Sequence, residues 1–274
     1  MAALDWSVAE GHVRVDGVDL EFACHGPAPD QAPTLVLLHE GLGSVALWRD
    51  IPQRLAEQTG FGIFVYSRQG YGRSDPVHLP RPLDFMTHEG AVVLPALLDV
   101  IGFRRGVLLG HSDGATIAAI HAGSVIDHRV RGLILIAPHF FTEELGLAQI
   151  ARARAEFEAT DMRDRMAKYH INPEAVFRGW SDVWLHPDFK SWNVAEAIDY
   201  FRIPTLAIQG RGDEYGTLAQ IEEIETRSYA PVDTLLLDGC GHSPHLERKE
   251  EVLSEIATFL ARLERIEAAE VELA

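Results

Sequence analysis

The sequence predicts an α/β fold: a doubly wound, mostly parallel sheet with a helical segment inserted in the second half of the chain. Three observations carry the prediction. From residue 34 onward, short apolar runs alternate with amphipathic stretches of helical length, the pattern of a parallel sheet covered on both faces. That alternation stops near His139 and resumes near Thr205. Finally, Gly110-His111-Ser112-Asp113-Gly114 joins the apolar run Val107-Leu108-Leu109 to the small-residue stretch Ala115-Thr116-Ile117-Ala118-Ala119. This is Gly-x-Ser-x-Gly at a strand-to-helix junction, the context of a nucleophile elbow.

Each element follows from local pattern. Residues 12–23 alternate apolar and polar side chains around Asp16-Gly17 and read as a β-hairpin. Residues 34–38 form a strand, 48–58 a helix, 62–66 a strand, and 85–101 a helix that tolerates Pro95. Strands at 106–109 and 132–137 flank the helix after Ser112. Residues 139–201 hold no obvious buried strand, only helical segments and aromatics, and read as a helical cap inserted into a core made of 1–138 and 202–274. Most of those aromatics should form the cap's own core. Phe140, Phe141, Trp180 and Trp184, together with His111, are candidates to line a substrate pocket. Strands at 205–208 and 234–237 then alternate with helices at 218–229 and 247–263.

Composition narrows the partners. The chain has 274 residues, 47% of them hydrophobic, enough for a sizeable core. Twenty-four basic against 41 acidic residues give a net charge of −17, which argues against nucleic acid and anionic membrane surfaces and leaves a small-molecule substrate. The acidic end, 264–274, reads as a solvated helix end or a loose tail. Cys24 and Cys240 make no disulfide framework and fit a reducing, cytoplasmic setting. The N-terminus lacks a basic segment followed by an apolar core, and no apolar run approaches the roughly 18 residues of a membrane span. No H-E-x-x-H, C-x-x-C or phosphate-binding glycine loop occurs, so neither a metal nor an organic cofactor is expected. Oligomeric state is left open by the sequence.

A serine hydroxyl is a poor nucleophile near neutral pH and needs a base, which in turn needs an orienting acid. Both are on offer where later strands end. The strand at 205–208 runs into Gln209-Gly210-Arg211-Gly212-Asp213-Glu214, and the strand at 234–237 into Asp238-Gly239-Cys240-Gly241-His242-Ser243-Pro244-His245. Ligands of open parallel sheets collect at the carboxyl ends of strands, so these loops and the elbow should share one edge. Asp213 competes with Glu214 and Asp238 for the acid, and His242 with His245 for the base. His242 and Asp213 are favoured by position. A serine that merely caps its helix is the alternative for Ser112.

On these residues the chain resembles the α/β-hydrolase superfamily over nearly its whole length. The likeness rests on the elbow, on Gly210–Asp213, on Gly241-His242, on the loop His39-Glu40-Gly41-Leu42-Gly43 and on the turn Gly70-Tyr71-Gly72-Arg73-Ser74. The resemblance implies Ser112 as nucleophile, Asp213 as acid and His242 as base, acting on carboxylic esters or thioesters through an acyl-enzyme. A serine at the elbow speaks against the aspartate-nucleophile chemistry of dehalogenases and epoxide hydrolases. C–C bond hydrolysis of ring-cleavage type would use the same triad but should place basic residues near Ser112. A non-catalytic small-molecule receptor, or a lyase, would share only the fold.

Oxyanion donors should be the backbone N–H groups of Asp113 and of Gly41 or Leu42. Glu40 departs from the family pattern, standing where glycine is usual. A carboxylate facing a developing oxyanion opposes catalysis, so Glu40 should point away or be paired, with Arg68 or Arg73 as partners. The Asp113 side chain has two possible uses: capping the following helix, which is favoured, or facing the pocket to attract a substrate amine. Activity should fall below about pH 6 to 7, as an imidazole base takes up its proton.

Overall fold

The computed structural model describes residues 4–273. The first three residues of the N-terminal stretch and Ala274 of the acidic end lie outside the described residues.

Asp16 and Gly17 both adopt positive φ (48° and 89°), which turns β1 (Glu10–Val15) back onto β2 (Val18–His25) as an antiparallel hairpin. The chain then alternates β3 (Thr34–Leu38), α1 (Ile51–Thr59), β4 (Gly62–Tyr66), α2 (Phe85–His88), α3 (Leu94–Val100), β5 (Gly106–His111), α4 (Asp113–Ser124) and β6 (Val130–Ile136). With β7 (Thr205–Gly210) and β8 (Val232–Leu237), eight strands form one sheet in the order β1-β2-β4-β3-β5-β6-β7-β8, and from β4 to β8 every neighbouring pair is parallel. From β3 the chain moves outward to β4 and then returns to place β5 on β3's other side. That reversal opens a crevice at the carboxyl ends of β3 and β5, the switch point where open α/β sheets bind ligands.

Alternation along the central strands splits the core into two layers. Leu35, Leu37, Ile63, Val65, Leu109 and Ile134 face one side, under α1 and α10 (Lys249–Leu273). Val36, Leu38, Phe64, Leu108, Leu133 and Leu135 face the other, under α3 and α4. Helix α4 is buried from Asp113 through His121, which explains its run of small residues: a helix wrapped on all sides has no room for a polar face.

Two predicted helices are more broken than their periodicity suggested. Over 48–58, a 3-10 turn (Val45–Trp48) precedes α1, separated from it by Arg49 at φ 55°. Over 85–101, a single wide π turn (Glu89–Val93) joins α2 to α3 just ahead of Pro95. Proline cannot donate the bond that a regular helix would need there, and one wide turn absorbs the mismatch.

Between β6 and β7 (Thr205–Gly210) lie α5 (Glu144–Ala159), α6 (Met162–Met166), α7 (Pro173–Trp184) and two 3-10 turns, Pro187–Ser191 and Ala195–Tyr200. Its β-type pairing among the described residues is the isolated bridge Phe141–Asn193. After β7 come α8 (Ala219–Arg227), β8 (Val232–Leu237), α9 (Pro244–Glu247) and α10. The acidic end is helical through Leu273. Glu264 and Glu267 reach Arg105, and Glu267 also reaches Arg131, which ties residues 264–267 to the sheet. No helix among the described residues is long and apolar enough to cross a membrane.

Candidate active site

The elbow is built from two glycines and one strained residue. A side chain on Gly110 would lie 2.3 Å from the Gly114 carbonyl oxygen, and one on Gly114 would lie 2.1 Å from the Leu38 carbonyl oxygen. Both positions therefore admit only glycine. Between them Ser112 sits at φ 53°, ψ −121°, a conformation costly for any L-residue and characteristic of functional turns. Its N–H donates to the Ile136 carbonyl oxygen at 2.9 Å, which anchors the turn to β6.

Ser112, His242 and Asp213 form one hydrogen-bonded chain. His242 Nε2 lies 2.9 Å from Ser112 Oγ, and His242 Nδ1 lies 2.8 and 2.9 Å from the two Asp213 oxygens. A carboxylate can only accept, so Nδ1 carries the ring proton and Nε2 is free to accept from the serine hydroxyl. Asp213 is itself held from behind. Its Oδ1 accepts from the Tyr215 N–H at 2.8 Å and the Gly216 N–H at 3.3 Å, and its Oδ2 from Gln209 Nε2 at 2.8 Å. Burial works against the charge of Asp213, but the bond from His242 and the Tyr215 N–H outweigh it and hold the carboxyl below its ordinary range. The rival candidates are not part of this chain. Asp238 is exposed and paired with Arg211, while the buried His245 ring packs on Trp48 and His111.

Two rings brace His242 that sequence reading missed. Tyr215 lies 4.7 Å from it between ring centroids, and His139 stacks on it at 5.6 Å. His139 follows β6, another strand end on the same edge, and that position was the available signal. Burial, with the neighbouring His242 charge, pushes His139 down to about 3. An unfolded chain takes up that proton near pH 6.5 and the folded chain does not, so stability is complete above about 6.5 and is lost as pH falls toward 3. His139→Phe should therefore flatten the acid limb. Measured by urea unfolding, the loss of stability between pH 7 and 4.5 should shrink by about 2–3 kcal/mol. Equal losses in the two proteins would show that His139 does not titrate on unfolding.

The chain opens into a cavity of about 230 Å³. Gly41, Leu42 and Asp113 line it beside Ser112. As the first residue of α4, Asp113 has no carbonyl one turn back within its helix, so its N–H is available to a ligand. Gly41 packs so closely under Trp180 that a side chain there would lie 2.3 Å from the indole nitrogen. The acidic side chains of the lining are Glu40, Asp113, Glu143 and Glu214, and no lysine or arginine lines it among the described residues.

Of the predicted pocket residues, His111, Phe141, Trp180 and Trp184 line this cavity. Phe140 does not. Phe140 is fully buried in the core, while its neighbour Phe141 lines the cavity.

Two further expectations are corrected. Glu40 is paired, but not with Arg68 or Arg73. The buried Arg68 guanidinium binds the main-chain oxygens of His39 and Glu40, Arg73 donates its backbone N–H to Glu21, and the Glu40 carboxylate lies 3.6 Å from His111 Nδ1. Nor does Asp113 cap α4. The N-cap position belongs to Ser112, and a side chain one residue inside the helix cannot fold back to cap it. Asp113 is 1% exposed, both carboxylate oxygens lack a hydrogen-bond partner, and it faces the cavity. Burial raises its carboxyl above the usual range, against the Arg68 charge and the nearby Trp184 indole N–H.

Residues 35–255 match the model of the alpha/beta hydrolase family, and the chain belongs to that family of hydrolases. It is 29% identical over 267 residues to the polyketide synthase ThaQ of Burkholderia thailandensis, across 88% of this chain and 12% of ThaQ. This chain thus spans a small part of that relative's length. It is 22% identical to the proline iminopeptidase of Lactobacillus helveticus, across 92% of this chain and 98% of that protein. The esterase RhEst1 from Rhodococcus sp. ECU1013 superimposes with a TM-score of 0.70 at 18% identity, covering 93% of this chain and all of that one (100%), a likeness in fold.

Proposed function

We propose that the protein hydrolyses carboxylic esters or thioesters of small molecules, with Ser112 as nucleophile, His242 as base and Asp213 as orienting acid. The observation that carries this reading is the hydrogen-bonded chain Asp213–His242–Ser112 at the wall of a cavity. Ser112 Oγ bonds to the acyl carbon while its proton passes to His242 Nε2. The oxyanion is received by the Asp113 N–H and by the N–H of Gly41 or Leu42. Collapse breaks the bond to the leaving oxygen or sulfur, which takes the proton from Nε2. Water then gives a proton to the same nitrogen as it attacks the acyl carbon; the bond to Ser112 Oγ breaks, Oγ takes that proton back from Nε2, and the acid is released. Residues 139–201 act as the cap that encloses the substrate. The protein works without a metal or organic cofactor, and its acidic surface suits neither nucleic acid nor an anionic membrane.

The acid-lined cavity refines the substrate. C–C hydrolysis of a dienol acid calls for basic residues facing Ser112, and carboxylates stand there instead. A buried, unpartnered carboxylate beside the nucleophile favours an acyl group bearing an ammonium, which would supply the missing hydrogen bonds. The proline iminopeptidase relative is consistent with such a substrate. The test compares esters matched except for an amino group on the acyl chain. The amino ester should be preferred by about 10- to 100-fold in kcat/KM, a preference lost in Asp113→Asn. Equal rates on both esters, unchanged by Asp113→Asn, would rule out the ammonium.

A further inference from the structure

Glu40 comes from the loop after β3, His111 from the carboxyl end of β5 and His242 from the loop after β8, and His111 touches both of the others. Its Nε2 lies 2.8 Å from the main-chain oxygen of His242, and its Nδ1 lies 3.6 Å from the Glu40 carboxylate. A carbonyl oxygen only accepts, so Nε2 must carry a proton. A neutral imidazole would then turn a bare Nδ1 lone pair toward a carboxylate, which is repulsive. With a second proton on Nδ1, both contacts become attractive.

The geometry points to a clamp in which a doubly protonated His111 pairs through Nδ1 with the Glu40 carboxylate, so that His111 ties the oxyanion loop, through Glu40, to the loop of the catalytic base, through the His242 carbonyl. The clamp rests on the hydrolase reading above. Glu40 and His111 are positioning residues in it: they hold the donors of the oxyanion site, the elbow and His242 in register. The imidazolium also offsets the one carboxylate of the oxyanion loop, the charge that would otherwise oppose a developing oxyanion.

The surroundings agree. The His245 ring meets His111 edge-on at 4.5 Å, and His242 and His139 complete the ring cluster. His39 directly precedes Glu40 in the loop, and burial holds both His39 and His245 well below the ordinary imidazole value, so neither contributes a competing positive charge. Burial works against the Glu40 charge, yet the neighbouring His111 outweighs it and holds the carboxyl below its ordinary range.

The test combines kinetics with ¹⁵N imidazole NMR at pH 7. In the wild type both His111 nitrogens should report bound protons. In Glu40→Gln the Nδ1 proton should be lost, because the amide can instead donate to a bare Nδ1. Glu40→Ala should lower kcat, and the rate of fluorophosphonate reaction at Ser112, by about 10- to 100-fold with little change in KM. Glu40→Gln should recover most of that loss. Glu40→Ala/His111→Ala should be no worse than either single variant, since both remove the same clamp. A bare Nδ1 in the wild type, or an undiminished kcat in folded Glu40→Ala, overturns the clamp. If Glu40→Ala does not fold, the NMR comparison with Glu40→Gln decides. A wild type that takes no adduct at Ser112 overturns the hydrolase reading instead, and the imidazole signals still judge the clamp.

Discussion

Ser112→Ala is expected to lower kcat by about 10⁴-fold or more, with folding stability and substrate affinity nearly unchanged. The size follows from what the hydroxyl does in the proposed reaction: it is the atom that bonds to the acyl carbon. With it gone, only the oxyanion donors and the enclosed cavity still favour hydrolysis, by water attacking directly. The elbow itself should survive. Its strain lies in the backbone at φ 53°, and the Ser112 N–H still reaches Ile136. Steady-state turnover on an ester substrate, with a thermal melt as control, checks this. Retained turnover in a folded Ser112→Ala protein would remove Ser112 from the reaction.

Asp213→Asn should cost nearly as much, about 10³- to 10⁴-fold in kcat, for a different reason. Three donors converge on the Asp213 carboxylate from behind: the N–H groups of Tyr215 and Gly216 on Oδ1 and the Gln209 amide on Oδ2. The two backbone donors keep the oxygen of an asparagine on their side, which places its NH₂ where Oδ2 now faces His242. That NH₂ donates to Nδ1 and drives the ring proton to Nε2, where it faces Ser112 and cannot accept from it. Gln209 has an unpartnered Oε1 and can turn its amide to meet the new donor, so the fold should be kept. The expected signature is therefore low kcat, a near-native melt and an imidazole proton on Nε2 rather than Nδ1. Near-wild-type turnover would mean that Asp213 does not set the tautomer.

The sheet was legible because its strands are buried on both faces and read as unbroken apolar runs, Thr34–Leu38 and Gly62–Tyr66 most clearly. The serine, acid and base were legible because each sits where such a run ends, and strand ends share one edge. What escaped the sequence depends on the direction of single bonds or on contacts across the sheet. Asp113 looks like a cap because aspartate at a helix start so often is one; here Ser112 holds the N-cap position and the Asp113 carboxylate lines the cavity. Glu40 called for a basic partner and was matched to nearby arginines. Its contact is instead His111, which is 71 residues away in sequence but on the adjacent strand β5. Phe140 and Phe141 are indistinguishable by type, and which one reaches the cavity depends on the local bend of the chain at Phe140, which residue type does not encode.

The most direct test of an activated serine is labelling with a fluorophosphonate probe, followed by peptide mass spectrometry, on the wild type and on His242→Ala. The geometry predicts a single adduct on Ser112 that is lost in His242→Ala, because Oγ attacks phosphorus only when Nε2 can take its proton. No adduct on the folded wild type, or one that persists without His242, would contradict a Ser112–His242 catalytic pair.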